Sequence, residues 1–269
     1  ATLRGMVEQA GKYGIKIYLY MNEPRAMTED FFQNRESMRG VREGDYYTMC
    51  TSSPEVREWI SDSLSYVFRH VPGLAGVFTI SGSENLTHCA SHYRQADCPR
   101  CSQRNPAEIV AEANAAVEKG VHRVNPDAKV LVWDWGWNDA WALDIIPRLP
   151  PSVYLMSVSE WSKPIERGGV KTEVGEYSIS VVGPGPRATR HWEAAKKAGL
   201  KTAAKLQINN TWELSAVPYL PVLDLIAEHC ENLLTRDVDG LMLSWSLGGY
   251  PSPNLELVDA FRQTPPPTR

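Results

Sequence analysis

The chain has 269 residues, a formal net charge of -4 and no strongly basic face in its sequence, which argues against a partner made of nucleic acid. No apolar run approaches the roughly 20 residues of a membrane span and no secretory-signal pattern opens the sequence, so a soluble protein is expected, with its compartment unassigned. The length suits a single large α/β domain over residues 1–269, with enough chain to bury a substantial core.

Residues 2–13 place Leu3, Met6, Val7 and Ala10 at helical spacing and stop at Gly14. Residues 15–22, IKIYLYMN, form a nearly continuous apolar run, as expected of a strand buried on both faces, and Asn22-Glu23-Pro24 stands at its end. Residues 25–52 read as polar and irregular. Ser53-Pro54-Glu55 then opens a helix to about His70, with proline and an acid suited to its first turn. A strand follows at 76–81, broken by Gly82, and its loop presents Glu84 and Asn85. The pattern continues with a helix at about 106–124, a strand at 129–135, a helix at 139–148 and a strand at 152–159. Residues 160–186 are rich in Gly and Pro around a short β-like piece, EYSISVV. A helix at 187–199, a strand at 201–208, a helix at 217–235 and a strand at 241–246 complete the series before a short helix and a Pro-rich tail.

Strands alternating with helices predict a parallel sheet covered by helices. No Gly-rich phosphate loop is present, and the prolines of Gly183-Pro184-Gly185-Pro186 remove amide donors that a phosphate would need. The expected fold class is therefore α/β, a (β/α)8 TIM-barrel type. Six strands against the eight of a full barrel imply that the first two are lacking. An upstream segment or a homo-oligomer would then complete the barrel.

The loop at 86–103 carries Cys89-x-x-His92 and Cys98-x-x-Cys101, four residues of the types that hold tetrahedral zinc. They predict a structural zinc site, since four protein ligands leave no open position. His88 is an alternative to His92, and a reduced loop or a disulfide is the alternative to metal. Cys50 and Cys230 lie apart and read as buried free thiols.

Carboxylates, amides and indoles recur at the strand ends. Asn22 and Glu23 follow one strand, Asp134, Trp135 and Trp137 another, Glu160 with Trp161 a third. Gln207, Asn209, Trp212 and Glu213 follow a fourth, and Trp245 closes the last. Carboxylates and amides grip hydroxyls and indole faces stack on sugar rings, so carbohydrate is the expected partner. Trp59 and Trp192 read instead as helix-face packing. The sequons at Asn85 and Asn209 fall among these strand ends and read as chance.

The runs TISGSEN, WDWGW and LMLSWSLGGYPS resemble the barrel of β-N-acetylhexosaminidases, family 20 glycoside hydrolases, and are most similar to uncharacterised bacterial relatives with a barrel of that kind. The resemblance covers most of the chain through a few short motifs. It implies retaining, substrate-assisted hydrolysis of β-linked N-acetylhexosaminides, in which the substrate's acetamido oxygen attacks the anomeric carbon. Glu84 matches the family's general acid/base. An Asp precedes that acid in the family, and here Ser83 stands in its place. Asn85, Asp134 or Glu160 would then have to orient the acetamido group. Trp135 and Trp245 match indoles that wall the sugar site.

Two other readings compete. Asn22-Glu23-Pro24 resembles the acid/base motif of clan A glycosidases, which pairs Glu23 with Glu160 in a two-carboxylate retaining mechanism. A barrel lacking strands would alternatively serve as a non-catalytic carbohydrate-binding module.

Overall fold

The computed structural model describes residues 2–82, 85–210, 214, 216–245 and 251–267. It divides into two compact units, Ala1–Leu155 with Ala198–Leu200, and Met156–Lys197 with Lys201–Arg269.

The first unit opens with α1 (Leu3–Gly11), capped by Thr2, whose Oγ1 accepts from the Gly5 N–H at 3.2 Å. Strand β1 (Tyr18–Met21) follows. The stretch read as irregular then folds into a small antiparallel sheet of β2 (Met27–Thr28), β3 (Arg39–Glu43) and β4 (Tyr46–Met49), in the order β2-β4-β3. Strands of two to five residues are too short to show a period-2 pattern, which is why the sequence hid them.

Helix α2 (Pro54–His70) has Pro54 in its first turn and Arg69 and His70 in its last, as its terminal dipole favours. Val56, Ile60, Leu64 and Phe68 recur at every fourth residue along its buried face. Strand β5 (Gly76–Ile80), helix α3 (Pro106–His122), strand β6 (Lys129–Trp133) and the short helix α4 (Asp139–Ile145) complete the unit. Asn105 caps α3 by accepting from the Ala107 N–H at 2.9 Å.

Helices α2 and α3 pack closely because Gly120 has no side chain. A Cβ there would meet the Ser61 carbonyl oxygen at 2.5 Å and the Leu64 Cβ at 2.9 Å. Two serine hydroxyls of α2 donate to α3 carbonyls across this contact, Ser61 to Ala116 at 2.8 Å and Ser65 to Gly120 at 2.9 Å.

Strand β5 lies between β1 and β6 with all three parallel, Tyr18 opposite Gly76 and Gly76 opposite Lys129. Parallel pairing puts the C-terminal ends of the three strands on one edge, so their following loops are neighbours.

Strand β7 (Tyr154–Val158) leads into the second unit. A hairpin of β8 (Pro164–Arg167) and β9 (Val170–Glu173) follows, with Gly168 and Gly169 at its turn. The EYSISVV piece forms no strand; the exposed residues before it do. Helix α5 (Pro186–Lys197), strand β10 (Lys201–Leu206), helix α6 (Leu223–Leu234), strand β11 (Gly240–Leu243) and helix α7 (Pro253–Ala260) close the chain. Helix α6 starts at Leu223 and not near 217, because Pro218 and Pro221 prevent an earlier start.

Strands β10 and β11 are parallel, Ala203 opposite Gly240 through Leu206 opposite Leu243, and the strand order in this unit is β7-β10-β11. Its core is built from Trp192, Leu206, Ile226, Leu233, Val258 and Phe261. Trp192 packs as read from sequence, whereas Trp59 of α2 is 37% exposed.

The six strands β1, β5, β6, β7, β10 and β11 thus alternate with helices along the chain, as in a partial (β/α) barrel. No helix among the described residues is long and apolar enough to cross a membrane.

Candidate functional site

In the first unit the strand-end residues gather in the loops after β1, β5 and β6. Glu23 follows β1 and is half-buried. Burial pushes its carboxyl above the ordinary value, against the opposing pull of the Arg25 backbone N–H and guanidinium. Arg25 also reaches the next loop, donating from Nη1 to the Asn85 Oδ1 at 3.0 Å, while the Ala26 N–H donates to the Leu86 carbonyl at 3.1 Å. The turn after β1 is therefore fastened to the residues immediately following Glu84. Glu84 and Ser83 themselves, with Trp212 and Glu213, lie outside the described residues.

After β5, the Ser81 hydroxyl accepts from the Trp137 Nε1–H at 3.2 Å and from the Asn114 Nδ2 at 3.2 Å. That bond and its 6% exposure make Trp137 a wall that holds the loop after β6 and not an open stacking face. Asp134 and Asn22 are buried, and Trp135 is half-buried.

In the second unit, Glu160 is fully buried and its Oε1 accepts from the Ser178 N–H at 3.0 Å. Lys205 is also fully buried, with its Nζ 4.0 Å from the Tyr177 ring centroid. Burial lowers its amine to about 8, opposed by the charges of Glu160 and Glu176. Gln207 and Asn209 are buried too. The Asn209 Oδ1 accepts from the Ser252 hydroxyl at 2.6 Å, and Ser252 also caps α7. Ser244 stands just past β11 with φ +66°, in the left-handed region, and its hydroxyl accepts from the backbone N–H of Ile208 at 3.3 Å and Asn209 at 3.4 Å. A non-glycine residue held there by two bonds fixes the direction of the chain into the half-buried Trp245.

The cysteines give the sharpest departure from the sequence reading. The four residues that come together are Cys50, Cys89, Cys98 and Cys101, all buried, with their sulfurs within 4.8 Å of one another. His92 is not among them; its Nδ1 lies 2.9 Å from a Glu43 carboxylate oxygen. His88 is not among them either, and burial pushes its imidazole down to about 4. Cys50 follows β4, so its place in the cluster depends on the hairpin that the sequence did not reveal. All five cysteines carry free thiols.

No protein-family model matches the chain, and no curated protein matches it. Solved structures do. A β-galactosidase from the Antarctic haloarchaeon Halorubrum lacusprofundi superposes with a TM-score of 0.54 at 14% identity, covering 90% of this chain and 44% of that one. A family 89 glycoside hydrolase from Clostridium perfringens superposes with a TM-score of 0.52 at 11% identity, covering 89% of this chain and 23% of that one. A family 20 exo-β-N-acetylglucosaminidase from Vibrio harveyi gives 0.48 at 11% identity, covering 94% and 38%, and at that score it does not separate family 20 from the others. The chain thus spans less than half the length of each of these enzymes. What it shares with the first two is the fold of a glycoside hydrolase barrel.

Proposed function

We propose that the chain is a glycoside hydrolase domain that cleaves β-linked N-acetylhexosaminides by retaining, substrate-assisted hydrolysis, with Glu84 as the general acid/base. The observation that carries this reading is the fastening of the Asn22-Glu23-Pro24-Arg25 turn to Asn85 and Leu86 at the C-terminal ends of adjacent parallel strands. Barrel enzymes place their chemistry at that edge. It puts the buried Asp134 and half-buried Trp135 after β6, the strand next to β5, on the same side. The motif resemblance supports the substrate class and the role of Glu84.

In this reading Glu84 protonates the glycosidic oxygen while the acetamido oxygen closes on the anomeric carbon, and Glu84 then activates water to open the resulting oxazolinium ion. Asp134 supplies the negative charge that offsets that cation, which the neutral Ser83 and Asn85 cannot, and Trp135 walls the sugar. In the second unit the half-buried Trp245 is the residue that fits stacking on a sugar, whereas Gln207 and Asn209 are buried and Asn209 is engaged with Ser252.

The two-carboxylate alternative is favoured by one observation: burial raises the Glu23 carboxyl above its ordinary value, the direction a general acid requires. It is weakened by Glu160, whose carboxylate is fully buried and engaged with the Ser178 N–H. Substituting each acid in turn separates the two. Glu84→Gln is expected to lower turnover of an aryl N-acetylhexosaminide by about a hundredfold or more, with Glu160→Gln far milder. A large loss in both Glu23→Gln and Glu160→Gln with Glu84→Gln active would favour the alternative.

A further inference from the structure

We propose that Cys50, Cys89, Cys98 and Cys101 form a tetrathiolate site for one structural zinc ion, an inference independent of the glycosidase reading. With a Zn–S distance of about 2.3 Å, the edge of a tetrahedron of sulfurs is about 3.8 Å. The Cys50 sulfur lies 3.5 Å from that of Cys101 and 3.7 Å from that of Cys98. Those separations match ligands around one ion and are far from the roughly 2.0 Å of a disulfide.

The surroundings are arranged for sulfur that carries charge. The Arg100 Nε donates to the Cys50 sulfur at 3.3 Å. The Ser52 hydroxyl lies 3.1 Å from the Cys101 sulfur, and the Thr48 hydroxyl 3.4 Å from that of Cys89. Zinc with four thiolates carries a net charge of about -2, the thiol protons leaving to solvent, and such donors orient the ligands and offset that charge.

Gly40 makes room for the site. A Cβ there would lie 2.6 Å from the Cys89 sulfur, so the backbone of β3 approaches the cluster as only glycine allows. The ion would join three segments distant in sequence, the end of the β3–β4 hairpin, the loop after β5 and the turn before α3. Val41, Ala90 and Ile109 pack with the four cysteines in one buried cluster. Four protein ligands close the coordination sphere, so the ion staples these segments and takes no part in chemistry.

Elemental analysis of the full chain, purified without chelator, tests this directly, with about one zinc per chain expected. Protein grown with cobalt is expected to show the ligand-field and thiolate charge-transfer bands of tetrahedral cobalt. In competition with a chromophoric chelator, Cys50→Ser is expected to weaken zinc binding by about tenfold or more, and His92→Ala to leave it unchanged. Should Cys50→Ser not fold, thiol counting on denatured, chelator-treated wild type decides: five reactive thiols with a full complement of zinc support the site. Absence of zinc, iron in its place, a mass deficit from disulfides, or loss of zinc on His92→Ala with retention in Cys50→Ser would each overturn it.

Discussion

His229 of α6 illustrates how burial sets the charge state of single residues in this chain. Its Nε2 lies 2.7 Å from the Ser159 hydroxyl, and burial pushes its pKa down to about 4, with the charge of Lys163 adding to the effect. An unfolded histidine titrates near 6.5, so between these values the unfolded state binds more protons than the folded one. Stability is therefore fully present above about pH 6.5 and lost as pH falls toward 4. The expected loss from His229 is about 2 kcal/mol between pH 7 and pH 5. Urea midpoints should show a shallower pH dependence in His229→Gln, with the remaining slope coming in part from His88, which is displaced the same way. An unchanged slope would remove His229 from the account. At this scale the sequence was informative where a residue stands beside its partners in the chain, as Cys98 does beside Cys101. The sequence places Cys50 apart as a buried free thiol; it is buried and free, but it reaches the cluster only through tertiary pairing of β3 with β4.

Among the elements, β5 was legible because both faces are covered, four of its five positions being buried, whereas the equally apolar run at 15–22 gives a strand only at Tyr18–Met21 with no buried residue, so apolar content there did not mean burial on both faces. The C-terminal ends of β5, β6, β7 and β10 were read too long. The strands end at Ile80, Trp133, Val158 and Leu206, so Ser81, Asp134, Trp135, Ser159 and Gln207 stand just past them and furnish the strand-end loops. The exposed β8–β9 hairpin left no apolar signal to find. Helix packing provides a clean test. Gly120→Ala removes a helix-weakening glycine worth about 1 kcal/mol, yet its Cβ would enter the backbone of Ser61. The α2–α3 contact must open, and net destabilisation of about 1–3 kcal/mol is expected in thermal or denaturant unfolding. A gain in stability would mean that the two helices are not packed as described.

For the molecule as a whole, the fold class followed from alternation of strands and helices, whereas the division into two units left no mark in composition. The proposed zinc staple has a consequence at this scale. Stripping the metal should lower the melting temperature of the first unit by several degrees, restored on adding zinc, since a ligand bound only by the folded state stabilises it. A melting curve indifferent to chelation would argue that the cysteines play no such part. The glycosidase reading rests on the geometry of the strand ends together with motif resemblance, and activity decides it.

The most direct measurement is hydrolysis of paired 4-nitrophenyl β-glycosides, with and without the 2-acetamido group, by wild type and Glu84→Gln. Turnover of the acetamido sugars alone is expected, reduced by about a hundredfold or more in the mutant. Turnover of plain glycosides that survives Glu84→Gln, or no turnover of either substrate, would contradict substrate assistance by Glu84.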